Sequence, residues 1–314
     1  MRYVSLLAAA KINLYLEILG DRPDGYHELA MIMQSIDLAD KLEVRTSRTQ
    51  IIRVYCQHPE VPKDQTNLAY KAAQLMAKKF PDAFAQYGVE ISLQKNIPVA
   101  AGLAGGSSNG AAVLVGLDLV WNLGLTQSEL QELAAELGSD VPFCISGGTV
   151  IATGRGEKLA PLSDLDHLYL VLAKYKNLSI STAWAYQAYR EKFDNTYITD
   201  PVILEQRKKQ LNSGGLVKAI AHKEGAQIGK LLYNDLERVI LPAYPQVAKL
   251  KDEFVKCNPL GAMMSGSGPT VFALAESKTQ AEEIQEKVKT KIADPDLEFW
   301  IAKLNSTGMK IIQH

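Results

Sequence analysis

Cysteine is scarce in this chain of 314 residues: Cys56, Cys144 and Cys257 stand far apart. No CxxC pair and no Cys/His cluster is present, which excludes a disulfide framework and a zinc site as organising features. So few, widely spaced thiols fit a reducing, cytoplasmic compartment. Excess charge of either sign is also lacking, with 34 Lys and Arg against 35 Asp and Glu and a formal charge of −1. That balance argues against nucleic acid or a membrane surface as a partner, a local basic funnel aside. No apolar run reaches the ~20 residues of a membrane-spanning helix. Arg2 with Val4 to Ala10 has a loose likeness to a secretory leader but is too short for one, and reads as a strand. Internal repeats, low-complexity tracts and long charge blocks are absent.

What remains has the composition of an ordinary globular protein, 47% apolar and 22% charged, with length for two domains or one large one. Ile12, Leu14, Leu16 and Ile18 alternate with Lys11, Asn13, Tyr15 and Glu17, a period of two that predicts a strand with one buried and one polar face. Asp21 to Gly25 forms a turn. Strands follow at 41–47, 50–56 and 89–94, and a helix over Asn67–Lys79 is capped by Asn67 and followed by Pro81. A helix over Ser108–Trp121 precedes a capping box, Thr126 with Glu129, whose own helix ends at Gly138. Gly147-Gly148 returns the chain to a strand at Thr149–Ala152, and a domain boundary is placed near 155–165, where Gly154, Gly156 and Pro161 punctuate.

The second half alternates differently. Leu168–Ala173 is a strand, and helices are expected at 214–222, 225–232 and 243–256. Gly261–Ser265 and Thr270–Ala275 are strands joined by Gly266-Ser267-Gly268. A helix capped by Ser277 buries Ala281, Ile284, Val288 and Ile292, and Glu298–Leu304 is a last strand. Antiparallel strands mixed with helices in both halves predict an α+β fold rather than a doubly wound parallel sheet.

The most specific string is Pro98-Val99-Ala100-Ala101-Gly102-Leu103-Ala104-Gly105-Gly106-Ser107-Ser108-Asn109, between a strand and a long apolar segment. Such a loop brings backbone N–H groups to the start of a helix, where a polyphosphate is the usual guest. It is neither a Walker A motif nor a dinucleotide fingerprint, since it has no lysine of its own and lacks the G-x-G-x-x-G spacing.

The order Pro-x-x-x-Gly-Leu-x-Gly-Gly-Ser-Ser-Asn resembles the phosphate loop of the galactokinase, homoserine kinase, mevalonate kinase and phosphomevalonate kinase superfamily, the GHMP kinases. Ala10–Leu14, Arg22–Leu29, Leu137–Phe143, Gly154–Glu157, Asn234–Glu237 and Gly261–Pro269 are similar, in order, to the branch acting on a cytidyl diphosphate sugar alcohol. The resemblance implies a two-domain GHMP kinase fold. Residues 1–160 would form an ATP-binding domain like domain 2 of ribosomal protein S5, and 161–314 a ferredoxin-like C-terminal GHMP kinase domain. It implies ATP-dependent phosphorylation of the 2-hydroxyl of that sugar alcohol in nonmevalonate isoprenoid precursor synthesis. ATP is then the co-substrate with Mg2+, no protein metal ligand is assigned, and a monomer or weak homodimer is expected.

Carried onto this sequence, the resemblance makes Asp140 the general base and Lys11 its cationic partner. On sequence alone Asp140 reads as the cap of the next helix; an unplaced lysine is usually solvated, but Ala8-Ala9-Ala10 and Leu14 with Leu16 argue for a packed strand in which Lys11 faces a partner. Pro98 through Ser108 would hold ATP, with Ser107 and Ser108 offering hydroxyls to phosphate or magnesium. Asn13 would orient the substrate. Tyr26 would stack on a cytosine, His27 would bond its edge, and Tyr186 would close the other side. Gly266 and Ser267 would approach from the second domain, and Lys95 faces the nucleotide or sits at the rim. Two positions depart from the family loop: Ala104 replaces a glycine and Gly110 an alanine. Alanine tolerates positive φ poorly, so either Ala104 has negative φ or the loop is shaped slightly differently. Near Lys174-Tyr175 a proline of the family pattern is missing.

Overall fold

The computed structural model describes residues 2–313. A long antiparallel hairpin, β1 (Tyr3–Asp21) and β2 (His27–Ser47), forms its spine. It is followed by β3 (Ile52–Cys56), α1 (Leu68–Lys79), α2 (Pro81–Gln86), β4 (Gly88–Gln94), α3 (Gly105–Trp121), α4 (Gln127–Leu137), α5 (Val141–Ser146), β5 (Thr149–Gly154) and β6 (Lys158–Pro161). Around β2 the ladder adds β4 and β5, with β3 parallel to β4 and β6 outside β5.

The unassigned stretch 27–40 is strand throughout. Its polar residues conceal the period of two, and Gln34 among them is buried because its amide finds partners. Gln34 donates to the carbonyls of Ser35 and Asn305 and accepts from the Thr149 hydroxyl. Both faces of β1 are covered as well, Lys11 and Asn13 included, so the expected polar face is not open to solvent there. Register shifts between Ala9 and Lys11 and between Asn13 and Tyr15 interrupt β1 where its polar side chains turn inward.

The remaining elements are β7 (Tyr169–Tyr175), α6 (Thr182–Phe193), α7 (Pro201–Asn212), α8 (Gly215–Ala221), α9 (Gly225–Lys230), β8 (Tyr233–Asn234), α10 (Glu237–Ala243), α11 (Pro245–Lys256), β9 (Gly261–Met264), β10 (Val271–Ala275), α12 (Lys278–Ile292), β11 (Leu297–Asn305) and β12 (Met309–Gln313). The strands β11-β7-β10-β9 lie in that order and pair antiparallel, with helices between β7 and β9 and between β10 and β11. This is the β-α-β-β-α-β arrangement of a ferredoxin-like unit. Val247, Leu250 and Phe254 of α11 and Ala281, Ile284 and Val288 of α12 are buried, as their helical spacing predicted. β7 continues through Lys174 and Tyr175, opposite Glu298 and Leu297, where the family pattern has its proline.

The two sheets meet where β11 pairs β2 at Leu304 with Ile36 and Asn305 with Ser35. β12 then pairs β1. α3 lies against the β1–β2 hairpin at Gly116, where a Cβ would come within 2.7 Å of Val44 Cγ2. α6 and α7 were not foreseen because their apolar periodicity is weak; α7 buries no residue.

Candidate active site

A cavity of about 900 Å³ opens between the hairpin, the start of α3, α5, α6 and the β9–β10 turn. At its centre the Lys11 ammonium, 5% exposed, donates to Asn13 Oδ1 at 2.7 Å and lies 3.5 Å from Asp140 Oδ2. Asp140 occupies the N-cap position of α5, yet its side chain makes no capping bond. The carboxylate faces Lys11 and the cavity instead. The ammonium is buried and the carboxylate is partly open to the cavity.

The glycine-rich loop forms one wall. Ala100, Gly102 and Ala104 have φ of 50°, 74° and 56°, so every second residue is left-handed. Such alternation gathers successive N–H groups into an anion-binding nest, at the positive end of α3. Ala104 is therefore not at negative φ: an alanine holds the left-handed position, at a cost of about 1–2 kcal/mol. No side chain caps α3, which leaves its first N–H groups to the cavity.

Two expected loop residues do not reach the cavity. Ser108 is fully buried, and its hydroxyl donates to the Ala9 carbonyl at 2.5 Å and meets Cys144 Sγ at 3.3 Å. As a residue of the first turn it points back at β1, whereas Ser107 lines the cavity. Leu103 turns into the core, and its carbonyl accepts the Lys11 N–H at 3.1 Å, tying loop to strand. Every other expected residue lines the cavity.

The β9–β10 turn closes on the same loop. A Cβ on Gly102 would lie 2.3 Å from the Ser265 carbonyl, and the Ser265 hydroxyl donates to the Gly102 carbonyl at 3.1 Å. Gly266 abuts Asn13 and Lys11; a Cβ there would sit 3.3 Å from Asn13 Oδ1. Ser267 Oγ and Thr182 Oγ1 are 2.9 Å apart.

An aromatic end completes the cavity. His27 lies 5.1 Å from the Tyr186 ring centroid, and its Nε2 is hydrogen-bonded to the Tyr197 hydroxyl at 3.0 Å. Burial, then the Arg190 charge, lowers the His27 pKa below its ordinary value, while Asp21 opposes. Burial pushes Tyr197 up to about 12 and raises Tyr186 as well, so both phenols remain protonated. Tyr26 is 51% exposed, with the Arg155 guanidinium over its ring.

Family models for the N-terminal and C-terminal domains of GHMP kinases match residues 67–148 and 216–294. The chain is 62% identical over 312 residues to the 4-diphosphocytidyl-2-C-methyl-D-erythritol kinase of Trichodesmium erythraeum, covering 99% of each. It is 60% identical over 313 residues to that of Nostoc punctiforme, again covering 99% of each. The chain belongs to the 4-diphosphocytidyl-2-C-methyl-D-erythritol kinase family of the GHMP kinases.

As a GHMP kinase it uses ATP as co-substrate, and its two-domain α+β fold is the family's. A crystal structure of 4-(cytidine 5'-diphospho)-2C-methyl-D-erythritol kinase superposes with a TM-score of 0.73 at 31% identity, over 96% of this chain and 99% of that one. A homoserine kinase from Cytophaga hutchinsonii shares the fold, with a TM-score of 0.77 at 19% identity over 99% and 98% of the two chains. Among the described residues no helix is long and apolar enough to cross a membrane.

Two buried residues that brace the cavity walls, Asp40 and Asn234, escaped the sequence reading. Asp40, fully buried, accepts from Lys95, from Asn109 Nδ2 at 2.8 Å and from the N–H groups of Asn96 and Ile97. Lys95 therefore lies beneath the phosphate loop, anchored by a carboxylate, and it also lines the cavity. Asn234 donates to the carbonyls of Met264 and Gly266, both at 2.8 Å, and so fixes the β9–β10 turn. Asn234 lay within a string already noted for resemblance; nothing local marks Asp40, since its partners are 55 to 69 residues away.

Proposed function

We propose that this cavity transfers the γ-phosphoryl group of ATP to the 2-hydroxyl of 4-diphosphocytidyl-2-C-methyl-D-erythritol, in a nonmevalonate route to isoprenoid precursors. One observation carries the reading: the phosphate nest, the Lys11–Asp140 pair and the aromatic end at Tyr26, His27 and Tyr186 line a single cavity. The nest and the α3 terminus hold the nucleotide phosphates, with Ser107 at their edge. Asp140 accepts the hydroxyl proton as that oxygen attacks phosphorus. Lys11 pairs with Asp140 and faces the charge that develops on the transferred group, while Asn13 fixes the ammonium. Tyr26 offers a face to the cytosine, His27 its edge and Tyr186 the far wall. Gly266 and Ser267 close the cavity from the β9–β10 turn.

Magnesium enters this reading with the nucleotide. Among the described residues no group of three His, Cys, Asp or Glu side chains forms a cage. The Ser107 hydroxyl and the Asp140 carboxylate, both lining the cavity, would be the protein groups facing the ion. It would supply charge neutralisation. The same reading divides the chain at about residue 160 into 1–160 and 161–314, supported by the separate strand order of β7, β9, β10 and β11. Cytoplasmic placement, with free Cys56, Cys144 and Cys257, and a monomer or weak homodimer belong to it too.

The test is a coupled ADP-release assay with the cytidyl substrate beside homoserine and mevalonate, which present no ring to stack. Turnover of the cytidyl substrate alone is expected, and equal turnover of homoserine would overturn the assignment. Asp140→Asn should keep ATP affinity while turnover falls at least ~100-fold.

A further inference from the structure

Arg155 stands in the turn between β5 and β6, outside the machinery just described. Its guanidinium lies 5.1 Å from the centroid of the Tyr26 ring, and one NH2 group donates to the Ala135 carbonyl of α4 at 2.9 Å. Two anchors thus orient it, and neither neutralises it. Glu157 meets the backbone N–H of Arg155, at 2.8 Å. No ion pair to the guanidinium is found among the described residues; the Asp24 carboxylate feels its charge but is itself paired with Arg22 at 3.1 Å.

The neighbouring cations are engaged. Lys11 is held by Asn13 and Asp140, and Arg190 pairs with Asp21 at 2.7 Å and donates to the Gly25 carbonyl. Arg155 lines the cavity with Ser139 and Asp140 while it stacks on Tyr26. It therefore spans the path from the aromatic end to the reacting end. A guanidinium stacked on a ring keeps its N–H edge free for an anion, and its planar fork matches phosphate oxygens two at a time.

We propose that Arg155 recognises the diphosphate bridge of the acceptor, so that preference for a cytidine diphosphate over cytidine resides in this side chain. The inference rests on the preceding reading that cytosine stacks on Tyr26. The base takes the ring face that Arg155 leaves open, and the two phosphoryl groups between base and sugar alcohol meet a cation that no ion pair holds. Arg155 is a specificity residue here and takes no part in proton transfer.

Titration calorimetry tests this, with cytidine and CDP added to the full chain whose nucleotide site is saturated with ADP. The unaltered chain should bind CDP more tightly than cytidine. Arg155→Met should weaken CDP by about 10- to 100-fold and leave cytidine unchanged. Arg155→Lys should recover part of the loss, with thermal unfolding checked for each variant. Equal weakening of both ligands would overturn the proposal and reduce Arg155 to a buttress of Tyr26. An unchanged preference for CDP in Arg155→Met would overturn it too. If the unaltered chain binds neither ligand, the cytidyl reading itself fails, an outcome distinct from the other two.

Discussion

Asp140, Lys11 and Asn13 make a short polar chain inside a packed strand and helix junction, and each has a partner that an isolated copy would lack. Asp40 repeats the pattern below the phosphate loop, where four donors satisfy one buried carboxylate. His27 is buried without a full counter-charge, which gives it a pH signature. Its folded pKa lies below the ordinary 6.5, with burial as the first cause. Between those two values the unfolded chain binds the proton and the folded chain does not. The contribution is therefore complete above about pH 6.5 and is lost as the pH falls through that window. His27→Gln should lose less stability than the unaltered chain between about pH 8 and pH 5.5, measured by urea unfolding. An identical pH dependence in the two would show that His27 is not the titrating group.

Helix α3 joins the phosphate loop to the hairpin, and its two interior glycines differ in kind. At Gly116 a Cβ would press on Val44 at 2.7 Å and on Leu6 at 3.3 Å, both within the core. At Gly110 the nearest atom to a Cβ is the Leu68 carbonyl oxygen at 3.4 Å, an ordinary contact. Gly116→Ala should therefore cost about 1–3 kcal/mol by overpacking. Gly110→Ala should be neutral or gain up to ~1 kcal/mol from helix propensity. Urea denaturation of the two variants checks the order, and a larger loss at Gly110 would contradict the packing described for α3. Elements with strong local signals, such as α4 with its Thr126–Glu129 capping box and α12 capped by Ser277, stand where their residues place them. α7 carried no such stripe: it is held by ion pairs, Arg207 to Glu17 and Lys208 to Glu28, rather than by burial.

Across the whole molecule the cavity depends on two glycine turns meeting from separate parts of the chain. Gly102 touches Ser265, and Asn234 at the end of β8 holds the carbonyls of Met264 and Gly266. β8 is itself paired with β1 at Tyr15 and Leu16, two residues beyond Asn13. Asn234→Ala would leave those two carbonyls without their donor, at about 1–3 kcal/mol. Turnover should fall more than ATP affinity, because the turn that shifts is the one abutting Lys11 and Asn13. Steady-state kinetics beside nucleotide binding decides it, and a loss confined to ATP affinity would place Asn234 elsewhere in the mechanism.

By itself the sequence determined the local pieces. The period of two in β1, the caps of α1, α4 and α12, and the nest-forming glycine loop depend on residues within a turn or two of each other. The superfamily strings pointed to Lys11, Asp140 and the aromatic end, and these residues line one cavity. Tertiary structure alone decided what long-range partners impose. It made a continuous strand of 27–40, because Gln34 and Asp40 find their partners far along the chain. It turned Ser108 away from the cavity, since the first turn of α3 faces β1. It also held Ala104 at φ 56°, where the packed loop overrides alanine's own preference.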